Sequence, residues 1–105
     1  MLVPPNNNYL EVFFMEFQTA LDEFLLYLEV EQNYSSNTLS SYESDLTLFH
    51  SFLKDHKRST LLEDLNPSLV RRFIQQQTLQ QYAKPRSVRR RISSLKSFSK
   101  FCLKE

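Results

Sequence analysis

Residues 84–104 read KPRSVRRRISSLKSFSKFCLK, a stretch with eight bases (Lys84, Arg86, Arg89, Arg90, Arg91, Lys96, Lys100, Lys104) and no acid. Lys84-Pro85 breaks the chain, and behind it Val88, Ile92, Leu95, Phe98 and Cys102 recur at the spacing of one helical face, which predicts a helix over about residues 86–104. At about 100° per residue, Arg86, Arg89, Arg90, Ser93, Lys96, Ser97, Lys100 and Lys104 fall on the opposite side, so an apolar inner face backs a basic outer one. Arg91 falls at the edge of the apolar side. It can pair there with an acid of the first or second helix, or bury its stem and keep its head in water.

The chain before this helix repeats the helical period. Phe17, Ala20, Leu21, Phe24, Leu25 and Leu28 predict a first amphipathic helix over about 16–32. Ser35, in a polar turn, is placed to cap a second helix over about 36–55, whose stripe is Leu39, Tyr42, Leu46, Phe49 and Leu53. Asn66-Pro67 is another start signal, because Asn caps well and Pro at the first helical position loses only an N–H without a partner. A third helix over about 67–80 follows, with Leu69, Val70, Phe73 and Ile74 on its apolar side. Four helices and no strand pattern predict an all-α, four-helix bundle, irregular because two of its linkers exceed the tight turns of an up-down bundle. Pro4-Pro5 and Asn6-Asn7-Asn8 break regular structure, so residues 1–14 are expected to be a loose leader and residues 15–105 the domain; Met15 has the look of a natural start.

Composition excludes more than it specifies. The 105 residues, 41% hydrophobic and 24% charged, suit one small domain, and no stretch approaches the roughly 18 apolar residues of a membrane span. With no glycine, the chain has neither a phosphate-cradling P-loop, nor a dinucleotide-binding turn, nor a Gly-x-Ser-x-Gly nucleophile elbow. Cys102 is the single cysteine, and His50 and His56, six apart, do not share a helical face, so no metal site or thiol chemistry is expected. No cofactor and no catalytic residue is assigned. No secretory leader is recognisable, which makes the cytoplasm the expected compartment.

The formal charge of +1 hides a strong segregation. Residues 1–50 carry eight acids and no Lys or Arg, whereas residues 51–105 carry all thirteen bases and four acids. Within the latter segment, the acid-free run from Lys84 to Lys104 makes one local surface strongly positive, and such a surface attracts polyanions. A helix whose outward side chains are Arg, Lys and Ser has the parts to lie against duplex DNA: Arg bonds guanine or phosphate bidentately, and Ser and Lys hold phosphates. The ordinary alternative is a solvated charged face, but such faces normally mix both signs. Two other readings stay open on composition: a protein-interaction module that pairs its acidic front with a basic back, and a stand-alone DNA-binding regulator.

Ser87-Val88-Arg89-Arg90-Arg91-Ile92-Ser93-Ser94-Leu95-Lys96-Ser97-Phe98 resembles the Ser-x-x-Arg-Arg-Leu-Ser-Ala-Leu-Arg-Ser-Phe segment in the amino-terminal domain of tyrosine recombinases, the phage integrase and Xer family. Phe24-Leu25-Leu26-Tyr27-Leu28, Tyr34-Ser35-Ser36-Asn37-Thr38-Leu39 and Tyr42-Glu43-Ser44-Asp45-Leu46 with Phe49 and Phe52-Leu53 are similar to the family's upstream motifs, in the same order. The resemblance implies a SAM-like core-binding domain that grips double-stranded DNA beside a crossover site. It implies DNA contacts at Thr38 and Ser41 and at Ser87, Arg90 and Lys96; helical phase adds Arg86, Arg89, Ser93, Ser97 and Lys100. Lys96 stands where the family has Arg, and an ammonium lacks the bidentate fork, so this position suits a phosphate. The family's strand-cleaving tyrosine belongs to a second domain, so none of Tyr9, Tyr27, Tyr34, Tyr42 or Tyr82 is assigned as a nucleophile and this chain alone is not expected to be an enzyme. Other recombinase protomers are the implied protein partners, and the isolated domain is expected to be a monomer.

Overall fold

Ser35 and Asn66 set where two helices begin. The Ser35 side chain accepts a hydrogen bond from the Thr38 N–H at 3.3 Å, and Asn66 Oδ1 accepts one from the Leu69 N–H at 3.1 Å, with Pro67 in the first helical position. A computed structural model of the protein describes residues 16–104. The helices are α1 (Phe17–Val30), α2 (Ser36–Asp55), α3 (Pro67–Leu79) and α4 (Pro85–Lys104), with a short 3-10 turn at Leu62–Asp64 before α3. The architecture is the all-α bundle read from the sequence. The leader assigned to residues 1–14 and the start at Met15 lie outside the described residues.

Without glycine, the helices end on ordinary residues forced into the left-handed region: Asn33 (φ 57°), Lys57 (φ 54°) and Tyr82 (φ 53°). Each turns the chain so that the next N–H donates back into its helix, Tyr34 to Leu28 at 3.0 Å, Arg58 to Leu53 at 2.7 Å and Ala83 to Gln77 at 2.8 Å. A side chain in this region costs about 1–2 kcal/mol that glycine would not incur.

The core is built largely from phenylalanine. Phe17, Phe24, Phe49 and Phe73 are fully buried, and Phe98 of α4 meets Phe17 at 5.0 Å and Phe24 at 5.4 Å between ring centroids. Phe49 of α2 meets Phe73 of α3 edge-on at 5.2 Å. Every helix therefore contributes to one aromatic cluster, and each tilted or edge-to-face pair adds about 0.5–1.5 kcal/mol beyond the burial itself. The start of α1 is also held to the α2–α3 connection, where the Phe17 N–H donates to the Thr60 carbonyl at 2.8 Å and the Thr60 hydroxyl donates to the Glu16 carboxylate. Tyr42 packs edge-on against Phe24 at 5.6 Å, as its place on the apolar stripe of α2 implies. Tyr27 lies half-buried against Phe101. Burial pushes the Cys102 thiol up to about 12, which keeps it protonated and unreactive at neutral pH.

Two stability predictions follow from these packing features. Tyr82 is 84% exposed, so Tyr82→Gly removes the left-handed cost and little packing; the greater chain entropy of the unfolded state offsets part of the gain. A net stabilisation of about 0.5–1 kcal/mol, or a thermal midpoint about 2–6 °C higher, is expected in a melting experiment. The second concerns His50, which stacks on Phe17 at 4.9 Å between ring centroids; burial, then Lys54, lower its pKa, while Glu16 opposes the shift. The unfolded chain then binds the proton more readily than the native one. Stability should hold above the unfolded value near 6.5 and fall as the pH drops below it. Urea midpoints across this window should show that fall in the wild type and a shallower one in His50→Gln.

Candidate nucleic-acid interface

The helix α4 has three working sides because its sequence mixes three spacings. Leu95 and Phe98 are buried and point into the core, with Val88, Ile92 and Cys102 half-buried beside them. Arg86, Arg89, Ser93, Lys96 and Lys100 are exposed and form the outward stripe. Among the described residues the ion pairs all fall on one acid, Asp45, so Arg86, Arg89, Lys96 and Lys100 carry unneutralised charge. Ser87 and Ser97 are half-buried on the flanks, while Thr38 and Ser41 are exposed in the first turns of α2. The Thr38 hydroxyl shares a 3.0 Å hydrogen bond with Ser35 and so also takes part in the cap.

Different surfaces border the stripe on its two sides. Towards α1 and α2, Ser97 and Lys100 edge a small cleft with Tyr34, Tyr42 and Phe101. Towards α3, Lys96 and Lys100 edge a mainly apolar groove of about 650 Å³ floored by Val70, Ile92 and Leu95. The sequence-assigned residues thus extend along the whole of α4 and across to the start of α2.

Arg90 has a different position from its outward neighbours. It reaches across to α2, where Nη2 donates to Asp45 Oδ1 at 2.7 Å and Nε donates to Asp45 Oδ2 at 3.0 Å. Asp45 is 1% exposed and the Arg90 side chain 51%, so the pair has a buried acid and a half-solvated base. The Ser94 hydroxyl, one turn on, donates to Asp45 Oδ2 at 2.8 Å. Arg91 approaches from the inner side, with Nε 3.9 Å from Asp45 Oδ1 and Nη1 donating to Gln77 Oε1 of α3. Of the two outcomes open to Arg91, the structure takes the pairing with an acid of the second helix. The hydrogen bond to Asp45 raises the Arg90 pKa further, with the carboxylate charge adding and partial burial opposing.

Asp45, Gln77 and Ser94 are the buried polar residues, among the described residues, whose role the sequence reading did not single out. Asp45 has a signal: it lies between Tyr42 and Leu46 and one turn before Phe49, in phase with an apolar stripe where an acid needs a partner. Gln77 has no comparable signal within a glutamine-rich run.

Removing one member of a buried pair leaves the other unsatisfied. Arg90→Ala should therefore destabilise the fold by about 2–3 kcal/mol, below the usual loss for a fully buried pair because Arg90 is half-exposed. Alanine at exposed Arg89 should change stability by less than about 0.5 kcal/mol, and urea denaturation of both variants measures the contrast.

Comparison with known proteins agrees with this architecture. Residues 21–105 match the family described as phage integrase, N-terminal SAM-like domain. A tyrosine recombinase XerC from Chlorobaculum tepidum is 39% identical over 88 residues, covering 79% of this chain and 26% of that protein. A tyrosine recombinase XerD from Pseudomonas putida is 39% identical over 85 residues, covering 81% of this chain and 28% of that protein. A XerD from Oceanobacillus iheyensis is 31% identical over 86 residues, covering 82% of this chain and 29% of that protein. The chain thus spans little more than a quarter of the length of these relatives. No solved structure gives a significant match. Among the described residues no helix is long and apolar enough to cross a membrane and no cluster of metal-ligating side chains occurs. A match over most of the chain, joined to four helices in the expected places, shows that the chain belongs to the phage-integrase N-terminal SAM-like domain family.

Proposed function

We propose that this chain is the core-binding domain of a site-specific tyrosine recombinase, and that it grips duplex DNA beside the crossover site. The outward stripe of α4, Arg86, Arg89, Ser93, Lys96 and Lys100, forms the contact face, with Ser87, Arg90 and Ser97 on its flanks and Thr38 and Ser41 from the start of α2. The observation that carries this reading is the run from Lys84 to Lys104, which has eight bases and no acid and has several of its cations exposed without a carboxylate partner among the described residues. A face of that sign follows a phosphate backbone, and its serines add neutral donors.

The proposed division of labour rests on the family match and on relatives named as tyrosine recombinases. This chain supplies grip and orientation, strand exchange belongs to a further domain of the parent, and other protomers and duplex DNA are its partners. The cytoplasm is the compartment consistent with that work. Lys96 and Lys100 act as point charges on phosphates. Arg86 and Arg89 have the fork that reads guanine or clasps a phosphate bidentately.

The test is fluorescence anisotropy of the 105-residue chain with a labelled mixed-sequence duplex of about 30 base pairs across a salt series. If five or six phosphates are neutralised, log K against log salt should have a slope of about −4 to −6. Combined Arg89→Ala, Lys96→Ala and Lys100→Ala should weaken binding more than about tenfold and make the slope shallower by roughly 3, with the melting curve unchanged. Salt-independent or absent binding, together with concentration-dependent sedimentation, would instead establish the protein-interaction reading.

A further inference from the structure

What sets Asp45 apart from the other acids of α2 is its burial against the basic helix α4. Its carboxylate lies between two guanidiniums, with Arg90 hydrogen-bonded on one side and Arg91 3.9 Å away on the other. The cluster therefore retains one net positive charge, and the charge of Arg90 is not cancelled where it meets solvent. Which edge of Arg90 is engaged matters as much. Asp45 takes Nε and one N–H of Nη2, the side edge of the guanidinium, leaving both N–H groups of Nη1 and the other on Nη2 unused by the carboxylate. That remaining edge is a fork matched to a single oxyanion, and the side chain carrying it is 51% exposed.

We propose that Asp45 is a positioning residue for DNA binding: it clamps the side edge of Arg90 so that the free edge is held, before contact, in the orientation that takes one backbone phosphate. This rests on the DNA-binding reading above. An unrestrained arginine must give up rotamer freedom when it is ordered by a ligand. In this protein the ordering is done on folding, by a carboxylate that the buried Ser94 hydroxyl holds in turn, with the Arg91 guanidinium 3.9 Å away on its other side.

The proposal has a consequence opposite in sign to simple electrostatics. Removing a negative charge next to a DNA-binding face should by itself tighten binding and steepen the salt dependence. If Asp45 positions Arg90, Asp45→Asn should weaken binding despite the added positive charge. The assay is anisotropy with the same labelled duplex, well below the melting temperature of every variant, with circular dichroism confirming the fold. Asp45→Asn is expected to lose about five- to tenfold in affinity, and the salt slope should become shallower by about 1 as the Arg90 phosphate contact disappears. Arg90→Lys keeps the charge and loses the fork, and should lose a similar factor. In an Arg90→Gln background, Asp45→Asn should cause no further loss.

If Asp45→Asn binds as tightly as the wild type or more tightly, or if Arg90→Lys is indistinguishable from it, the positioning role is overturned while DNA binding stands. If the wild type shows no salt-dependent binding, both the positioning role and the DNA-binding reading fall. If Asp45→Asn does not fold, Arg90→Lys decides the question: undiminished affinity in that variant overturns the proposal, and a five- to tenfold loss at matched charge supports it.

Discussion

One buried carboxylate joins the interior of this domain to its charged surface. Asp45 lies in the apolar stripe of α2, and an ion in that position is tolerable only because Arg90, Arg91 and Ser94 of α4 all come to it. Those partners fix how α4 lies against α2 about its own axis. A rotation of α4 by one residue, about 100°, would carry Arg90 and Ser94 off the carboxylate and leave it unpaired. The apolar face of α4 sets which side turns inward, and within that limit the rings of the phenylalanine cluster accept several tilted arrangements. The carboxylate selects among them. The orientation of the outward stripe of α4 thus depends on a charge that a solvent-facing survey of the surface would not find.

The start points of the helices were legible because their chemistry is local. Ser35 and Asn66-Pro67 cap and start helices by bonds to residues a turn away, and the structure places α2 and α3 within a residue of the predicted limits. The stops carried less signal. A chain with no glycine cannot advertise its left-handed turns, and nothing in Lys57 or Tyr82 marks them as the residues that take positive φ. They adopt it because the next amide gains a carbonyl in the preceding helix and because the following helix must return to the core.

The candidate site was legible in its sign and in part of its direction. Helical phase located Arg89, Ser93, Lys96 and Lys100 on the exposed side, because phase fixes where each Cα–Cβ bond points. For Arg90 the same argument gives only a starting direction, since a long flexible side chain swings toward the strongest partner within reach. That partner, Asp45, is forty-five positions earlier in the chain. Counting acids in the first half of the sequence recorded its charge and not its burial. The pairing is a tertiary fact, visible only once α2 and α4 are side by side.

Charge segregation along the chain becomes segregation in space through the same packing. Helix α1 carries acids and no base, and α4 carries bases and no acid, yet the two meet through Phe17, Phe24 and Phe98, without salt bridges among the described residues. Mutual neutralisation of α1 and α4 would have given a modest gain, because exposed ion pairs contribute little. Leaving the cations of α4 unpaired keeps their field directed outward, which suits the proposed partner, since a polyanion offers many charges at once and each contact releases counterions. An aromatic core serves that arrangement well: it holds a strongly basic helix in place by dispersion and burial, which do not require spending the charge on the protein's own carboxylates. Among the described residues Asp45 is the one exception, and its two guanidinium partners ensure that even there the positive sign persists.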